Sequence, residues 1–286
     1  MSAATNSGQP AYFLPQPSHW PVVGSCALLL MALGTAFWVN EIAVGPYVLL
    51  AGFGLLVFMM FGWFGTVIGE SEHRFYSKRV DTSFRWSMSW FIFSEVMFFA
   101  AFFGALFYIR NISVPDLGSL ADKSIWPDYT AAWPTVGPYI KSQFTPESAI
   151  GIPLLNTIIL LTSGVTLTIA HHCLKVGNRG GIKLWLFLTI VLGFSFLGFQ
   201  AFEYHHAYTE YNLRLTSGVY GSTFFMLTGF HGLHVTIGAI MLTVMLFRVF
   251  RGHFDAQHHF AFEAASWYWH FVDVVWLLLF VLVYWL

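Results

Sequence analysis

The chain has 286 residues, 13 Lys and Arg against 14 Asp and Glu, a net charge of −1, and a composition that is 57% hydrophobic and 9% charged. A soluble domain carries about 25% charged residues, so these proportions, with a mean hydropathy of +0.64, exclude an ordinary water-soluble fold and define a membrane protein. No basic run is present to neutralise a phosphate backbone, which excludes nucleic-acid binding. The 31 Phe, 12 Trp and 12 Tyr residues suit interfacial belts and flat contacts between helices.

Residues 1–20 read as a polar, proline-containing tail. The first nineteen hold no Lys, Arg, Asp or Glu, so the positive n-region of a secretory signal is missing. A helix needs roughly 20 mainly apolar residues at 1.5 Å each to cross about 30 Å of hydrocarbon. Seven stretches meet that length: 21–40, 42–68, 86–109, 149–173, 184–202, 217–247 and 264–286. The alternating polarity of barrel strands is absent, so the predicted class is all-α, a polytopic bundle of seven transmembrane helices. Residues 21–69 form a two-helix unit. The connection 70–85 lies along the inner interface through Phe75, Tyr76 and Phe84, and 86–286 form a five-helix unit. Within that unit the connection 110–148 contains Pro115, Pro127, Pro134, Pro138 and Pro146. Prolines at that density forbid a long helix, so it reads as an ordered cap on the outer face.

Lys and Arg set the direction. Arg74, Lys78, Arg79, Arg85, Lys175, Arg179, Lys183, Arg248 and Arg251 fall on the N-terminal side, against Arg110, Lys123, Lys141 and Arg214 on the other. The positive-inside bias therefore places the N-terminus in the cytoplasm and the C-terminus outside.

Two acids fall inside the predicted spans. Glu95 lies in FIFSEVMFFAAFF and Asp273 in the last span, each nine residues after its span begins. The two spans run in the same direction, so both acids lie ~14 Å below the inner surface, at matched depth. An ionised carboxylate there costs at least ~2.5 kcal/mol, so each must be neutral, paired or in polar surroundings. Glu95 reads as a proton-linked or partner-contacting acid, with a hydrogen-bonded anchor as the alternative. Asp273 reads as an anchor, because His270 precedes it by three residues on one helix face. His231 and His234, spaced i, i+3 in GFHGLHV, could hold a metal or a haem. No second pair occurs at matching depth, so interhelical or lipid hydrogen bonding is the better reading and no metal site is predicted. Arg248 and Arg251 at the inner interface suit an anionic headgroup or simple snorkelling, and Trp63 and Glu70 could line a similar site. Gly65 with Gly69, and Ala100 with Gly104, offer small faces for close helix packing. Cys26 and Cys173 stand alone and read as buried fillers. No P-loop, dinucleotide fingerprint, hydrolase elbow or H-E-x-x-H occurs, so no catalytic residue is assigned.

Several stretches together resemble one family. FIFSEVMFF at 91–99, PLLNTIILLTSGVTLTIAHH at 153–172, QAFEY at 200–204, VYGSTFFMLTGFHGLHV at 219–235 and FEAASWYWHFVDVVW at 262–276 are similar to subunit III of the cytochrome c oxidases, the haem-copper terminal oxidases. HWPVVGS and FGWF extend the likeness to the first two spans. The resemblance implies a bacterial inner-membrane subunit without a redox centre, docked on a catalytic subunit I that holds haems and copper and accompanied by a copper-bearing subunit II. It also implies a lipid-filled cleft between the two-helix and five-helix units, with phospholipid contacts at Trp63, Glu70, His231, Arg248 and Arg251. Glu95 takes the place of the glutamate that faces this cleft, toward the proton-uptake route of subunit I, while Asp273, His270 and His234 are buried polar partners. The chain departs from the family at RFYSKRV before the third span and at LKVGNRGG, 174–181, where the inner loop is more basic. The matching subunit of a ubiquinol oxidase is the nearest alternative, although it lacks the first two helices, and a self-sufficient proton-linked transporter is the rival from another class.

Overall fold

The computed structural model describes residue 13 and residues 15–119, 124–139 and 143–285, so most of the N-terminal tail lies outside the described residues. Among the described residues seven helices are long and apolar enough to cross a membrane: α1 (Trp20–Val39), α2 (Gly45–Glu72), α3 (Lys78–Tyr108), α5 (Ile152–Lys175), α6 (Arg179–Thr209), α7 (Gly218–Phe250) and α8 (Phe260–Leu279). A π-helical turn, Ile109–Ser113, and the short α4, Val114–Leu117, extend α3, and a second π-helical segment, Phe280–Trp285, ends α8. No strand occurs among the described residues.

Helix starts follow elementary rules. Proline occupies one of the first two positions of α1, α2 and α5, where its missing N–H is not needed. Asn178 caps α6 by accepting the Gly181 N–H at 2.9 Å. The tight α5–α6 turn passes through Gly177 at φ +75°, a conformation that penalises a Cβ. Several helices run beyond the apolar windows. α3 begins at Lys78 rather than 86, and α6 continues to Thr209 rather than stopping at 202. Apolar length marks the hydrocarbon layer, whereas intrahelical hydrogen bonding continues through polar residues into the interface.

The chain divides into two compact units, 1–84 and 85–286. In the first, α1 and α2 pack through glycine. A Cβ on Gly34 would overlap the Leu49 backbone, one on Gly45 the Trp38 backbone, and one on Gly52 the Met31 backbone. The glycines that spacing points to differ from these: a Cβ on Gly65, Gly69 or Gly104 would meet nothing within 4 Å. A small-x-x-x-small pattern states that approach is possible without saying which face has a neighbour. Cys173 is buried, but Cys26 is exposed.

The second unit has a conventional core. Trp269, Trp276, Phe196, Phe224 and Phe262 are among its largest fully buried side chains. Trp269 covers Gly193 and Gly238, so glycine makes room for an indole. Its Nε1–H donates to Ser163 Oγ at 2.9 Å, and Trp276 Nε1–H donates to Thr157 Oγ1 at 2.9 Å. Described parts of the 110–148 connection seat on this unit: Trp133 and Phe144 pack on the Tyr220 ring, and Tyr220 N–H donates to Thr135 O at 3.3 Å.

Candidate functional site

Glu95 lies on the inward side of α3, the side of the buried Phe99 and half-buried Phe102, while Phe93 and Met97 are exposed on the opposite side of the helix. Toward α7 Glu95 Oε2 lies 2.9 Å from His234 Nε2, and the Glu95 side chain stays 23% exposed. The imidazole is enclosed by the rings of Phe98, Phe99 and Tyr268.

The hydrogen bonds of His234 set the proton count. Its Nδ1 lies 2.6 Å from Phe230 O, and a carbonyl only accepts, so Nδ1–H donates there. A neutral ring then leaves Nε2 bare, and bare nitrogen and ionised carboxylate are both acceptors. A proton must therefore lie in the 2.9 Å contact. Either Glu95 is the acid and donates to Nε2, or imidazolium donates to the carboxylate. Both arrangements give a net charge of zero and one shared proton, which removes the penalty for a lone charge at this depth.

Asp273 is held differently. Its Oδ2 packs onto the α5 backbone, where a Cβ on Gly164 would collide with it, and lies 3.5 Å from His270 Nδ1. His270 Nε2 is 3.5 Å from Thr168 Oγ1. Phe91 stacks on Tyr268, Phe99 meets Phe271 and Arg85 pairs with Glu263 at 2.8 Å, so α3 and α8 run side by side past the two acids.

His231 is 1% exposed. Its Nε2–H donates to Val272 O at 3.2 Å, and its ring lies against Phe196 and Trp276. It has no open side for a headgroup, so the lipid assignment does not carry to it. Arg248 is also buried, its guanidinium 4.4 Å above the Phe254 ring, whereas Arg251 is exposed. In the two-helix unit Trp63 is 41% exposed, and Glu70 accepts from the Tyr76 hydroxyl at 2.7 Å. Burial and the Glu70 carboxylate hold the Tyr76 phenol well above its ordinary range. Among the described residues no three His, Cys, Asp or Glu side chains are grouped to hold a metal ion.

Two features of the site are not legible in the spans. The Glu95–His234 pairing spans two helices far apart in the chain, and no local spacing reveals it. Glu203 is a further acid in a spanning helix, fully buried in α6, excluded by ending its span at 202 although QAFEY contains it.

Fold and site together define a polytopic α-helical membrane protein that carries a proton-sharing Glu–His pair between two of its spanning helices. The chain belongs to the cytochrome c oxidase subunit III family, whose model matches residues 10–286. It is 43% identical over 276 residues to cytochrome c oxidase subunit 3 of Oryctolagus cuniculus, 44% to that of Squalus acanthias and 42% to that of Struthio camelus. Each alignment covers 96% of this chain and 97% of the relative. The protein is thus a multi-pass membrane subunit of an oxidoreductase complex of several chains.

Proposed function

We propose that the chain is a non-catalytic accessory subunit of a proton-pumping cytochrome c oxidase. It stabilises a catalytic subunit I that carries haems and copper, works beside a copper-bearing subunit II, and supports proton uptake. It carries no redox centre of its own. The observation that supports this reading is the Glu95–His234 pair, one shared proton between an imidazole enclosed by aromatic rings and a carboxyl whose side chain stays 23% exposed. A side chain so placed can exchange its proton with a group on a covering chain without presenting a bare charge to lipid. Phospholipid contact is proposed for Trp63 and Glu70 in the two-helix unit and for Arg251 in the five-helix unit, which are the open members of the candidate set. The membrane we propose is the bacterial inner membrane, N-terminus cytoplasmic and C-terminus periplasmic, a direction supported by the Lys and Arg asymmetry.

Replacing Glu95 with Gln tests the proton-linked role, because the amide keeps the shape and a hydrogen bond but carries no exchangeable acid. The variant oxidase should keep its haem spectra while proton uptake slows and activity decays sooner during turnover. Wild-type uptake and lifetime in that variant would reduce Glu95 to a packing anchor.

A further inference from the structure

A second polar cluster lies inside the five-helix unit, at the end where α5 begins and α6 ends. Glu203 is fully buried, and its Oε1 accepts from the Tyr284 hydroxyl at 2.6 Å. Its Oε2 is buried with no hydrogen-bond partner, and so is Oε2 of Glu147, a buried residue in the segment leading into α5. The two carboxyl groups are close enough to act on each other electrostatically, and Glu147 also senses His206. Gln200, one turn before Glu203, stands beside the Tyr284 hydroxyl but out of hydrogen-bonding alignment.

Asn156 belongs to the same level. Thr166 of α5 meets Thr189 of α6 at 2.8 Å. Ten residues from each toward this end of the antiparallel pair lie Asn156 and Phe199, the neighbour of Gln200. The next residue, Thr157, accepts from Trp276, whose ring lies 5.9 Å from that of Tyr284. Asn156 is completely buried, with both amide atoms unpartnered. An orphaned buried polar group costs about 1–3 kcal/mol, so several gathered in one place are inconsistent with a dry interior. Donors and acceptors are both present, as bound water requires.

We propose that Glu203, Glu147, Tyr284, Gln200 and Asn156 form a hydrated proton-holding site, separate from the Glu95–His234 pair, that exchanges its proton with the adjacent aqueous face past His206. Its ligands are water and the hydrated proton. Two carboxylates share the site, and the charged groups acting on them are each other and His206; Tyr204, Tyr220 and Tyr284 are the remaining titratable neighbours. Full ionisation would leave two negative charges in a low-dielectric pocket beside one half-open imidazole. Burial accordingly pushes the Glu147 carboxyl up, opposed by His206. On uptake an O–H bond forms on a carboxylate oxygen with a proton from water; on release the bond breaks and the proton returns to water. No other reactant is needed.

The test is a pH-induced infrared difference spectrum of the intact oxidase complex in H2O and in D2O. A protonated carboxyl C=O band should shift in D2O, vanish in Glu203→Gln, and change frequency in Tyr284→Phe, which removes the donor to Oε1. Glu147→Gln should move the pH at which the band titrates. A Glu203 band that neither exchanges with deuterium nor titrates would overturn the proposal and leave a dry structural acid, as would spectra in Glu147→Gln and Tyr284→Phe identical to wild type. The latter two variants keep the question open to measurement if Glu203→Gln fails to assemble.

Discussion

The two units solve membrane packing in opposite ways. In the first, Gly34, Gly45 and Gly52 let one backbone press on another, and large side chains such as Leu29, Leu50 and Phe61 turn outward. In the second, Trp269 and Trp276 fill the interior and bond Ser163 and Thr157 on α5. Backbone contact needs little side-chain volume and leaves the outer surface to lipid, which drives no association by itself. An indole core instead requires matched cavities and polar partners, and so accommodates the buried acids. The difference explains why every candidate proton site lies in the five-helix unit.

The largest effect should follow from emptying that core. Trp269→Ala removes an indole packed on Gly193 and Gly238 and its bond to Ser163, a change of the kind that costs about 3–5 kcal/mol. Trp63→Ala, on the exposed surface of the other unit, should cost far less. Unfolding of the purified chain in sodium dodecyl sulfate measures both. Similar losses for the two tryptophans would contradict the assignment of a core to the second unit alone.

A contrast of this kind was only partly legible in the sequence. Apolar length is a one-dimensional property, so all seven spans were visible, and Glu95 and Asp273 stood out because a charge in hydrocarbon is costly. Pairing is three-dimensional. His270 is legible as the neighbour of Asp273 because the two lie three apart on one helix, while His234 is legible as polar without its partner. Hydropathy also fades where a helix enters the interface, which hid the first turns of α3 and the acid at 203. Glycines repeat throughout the chain, and their spacing does not tell Gly34, pressed on Leu49, from Gly65, with nothing beside it.

That last distinction gives the next test. Gly34→Leu or Gly52→Leu forces α1 and α2 apart and should destabilise the hairpin by about 1–3 kcal/mol, as overpacking does. Gly65→Leu should be nearly neutral. Amide hydrogen exchange along α1 and α2 reads the effect, with α5–α8 as the internal control. Equal exchange in the Gly34 and Gly65 variants would remove the claim that glycine contact holds the first unit together.

The smallest effect concerns how each unit closes a turn. The α1–α2 turn is tied by backbone bonds, Asn40 N–H to Ala36 O, Glu41 N–H to Trp38 O and Ile42 N–H to Phe37 O, none of which uses a titrating acceptor. The α7–α8 turn relies on a side chain: Asp255 Oδ1 accepts the Gln257 and His258 N–H groups at 2.8 and 2.7 Å. Partial burial raises the Asp255 carboxyl, but the backbone bonds from His258 and Gln257 and the His258 ring outweigh it and hold the group below its ordinary range. A depressed carboxyl contributes stability that is present above the unfolded value and lost as pH falls through the folded one. Because the side chain is 37% exposed, solvent screening limits the contribution to less than ~1 kcal/mol. Protection of the Gln257 and His258 amides should therefore fall a few-fold on acidification below the ordinary carboxylate range, relative to Glu41 and Ile42. Asp255→Asn should abolish that pH dependence, since an amide oxygen accepts the same bonds at every pH. If the Asn variant loses protection in acid as the wild type does, the loosening originates elsewhere and the two turns do not differ in the way their acceptors indicate.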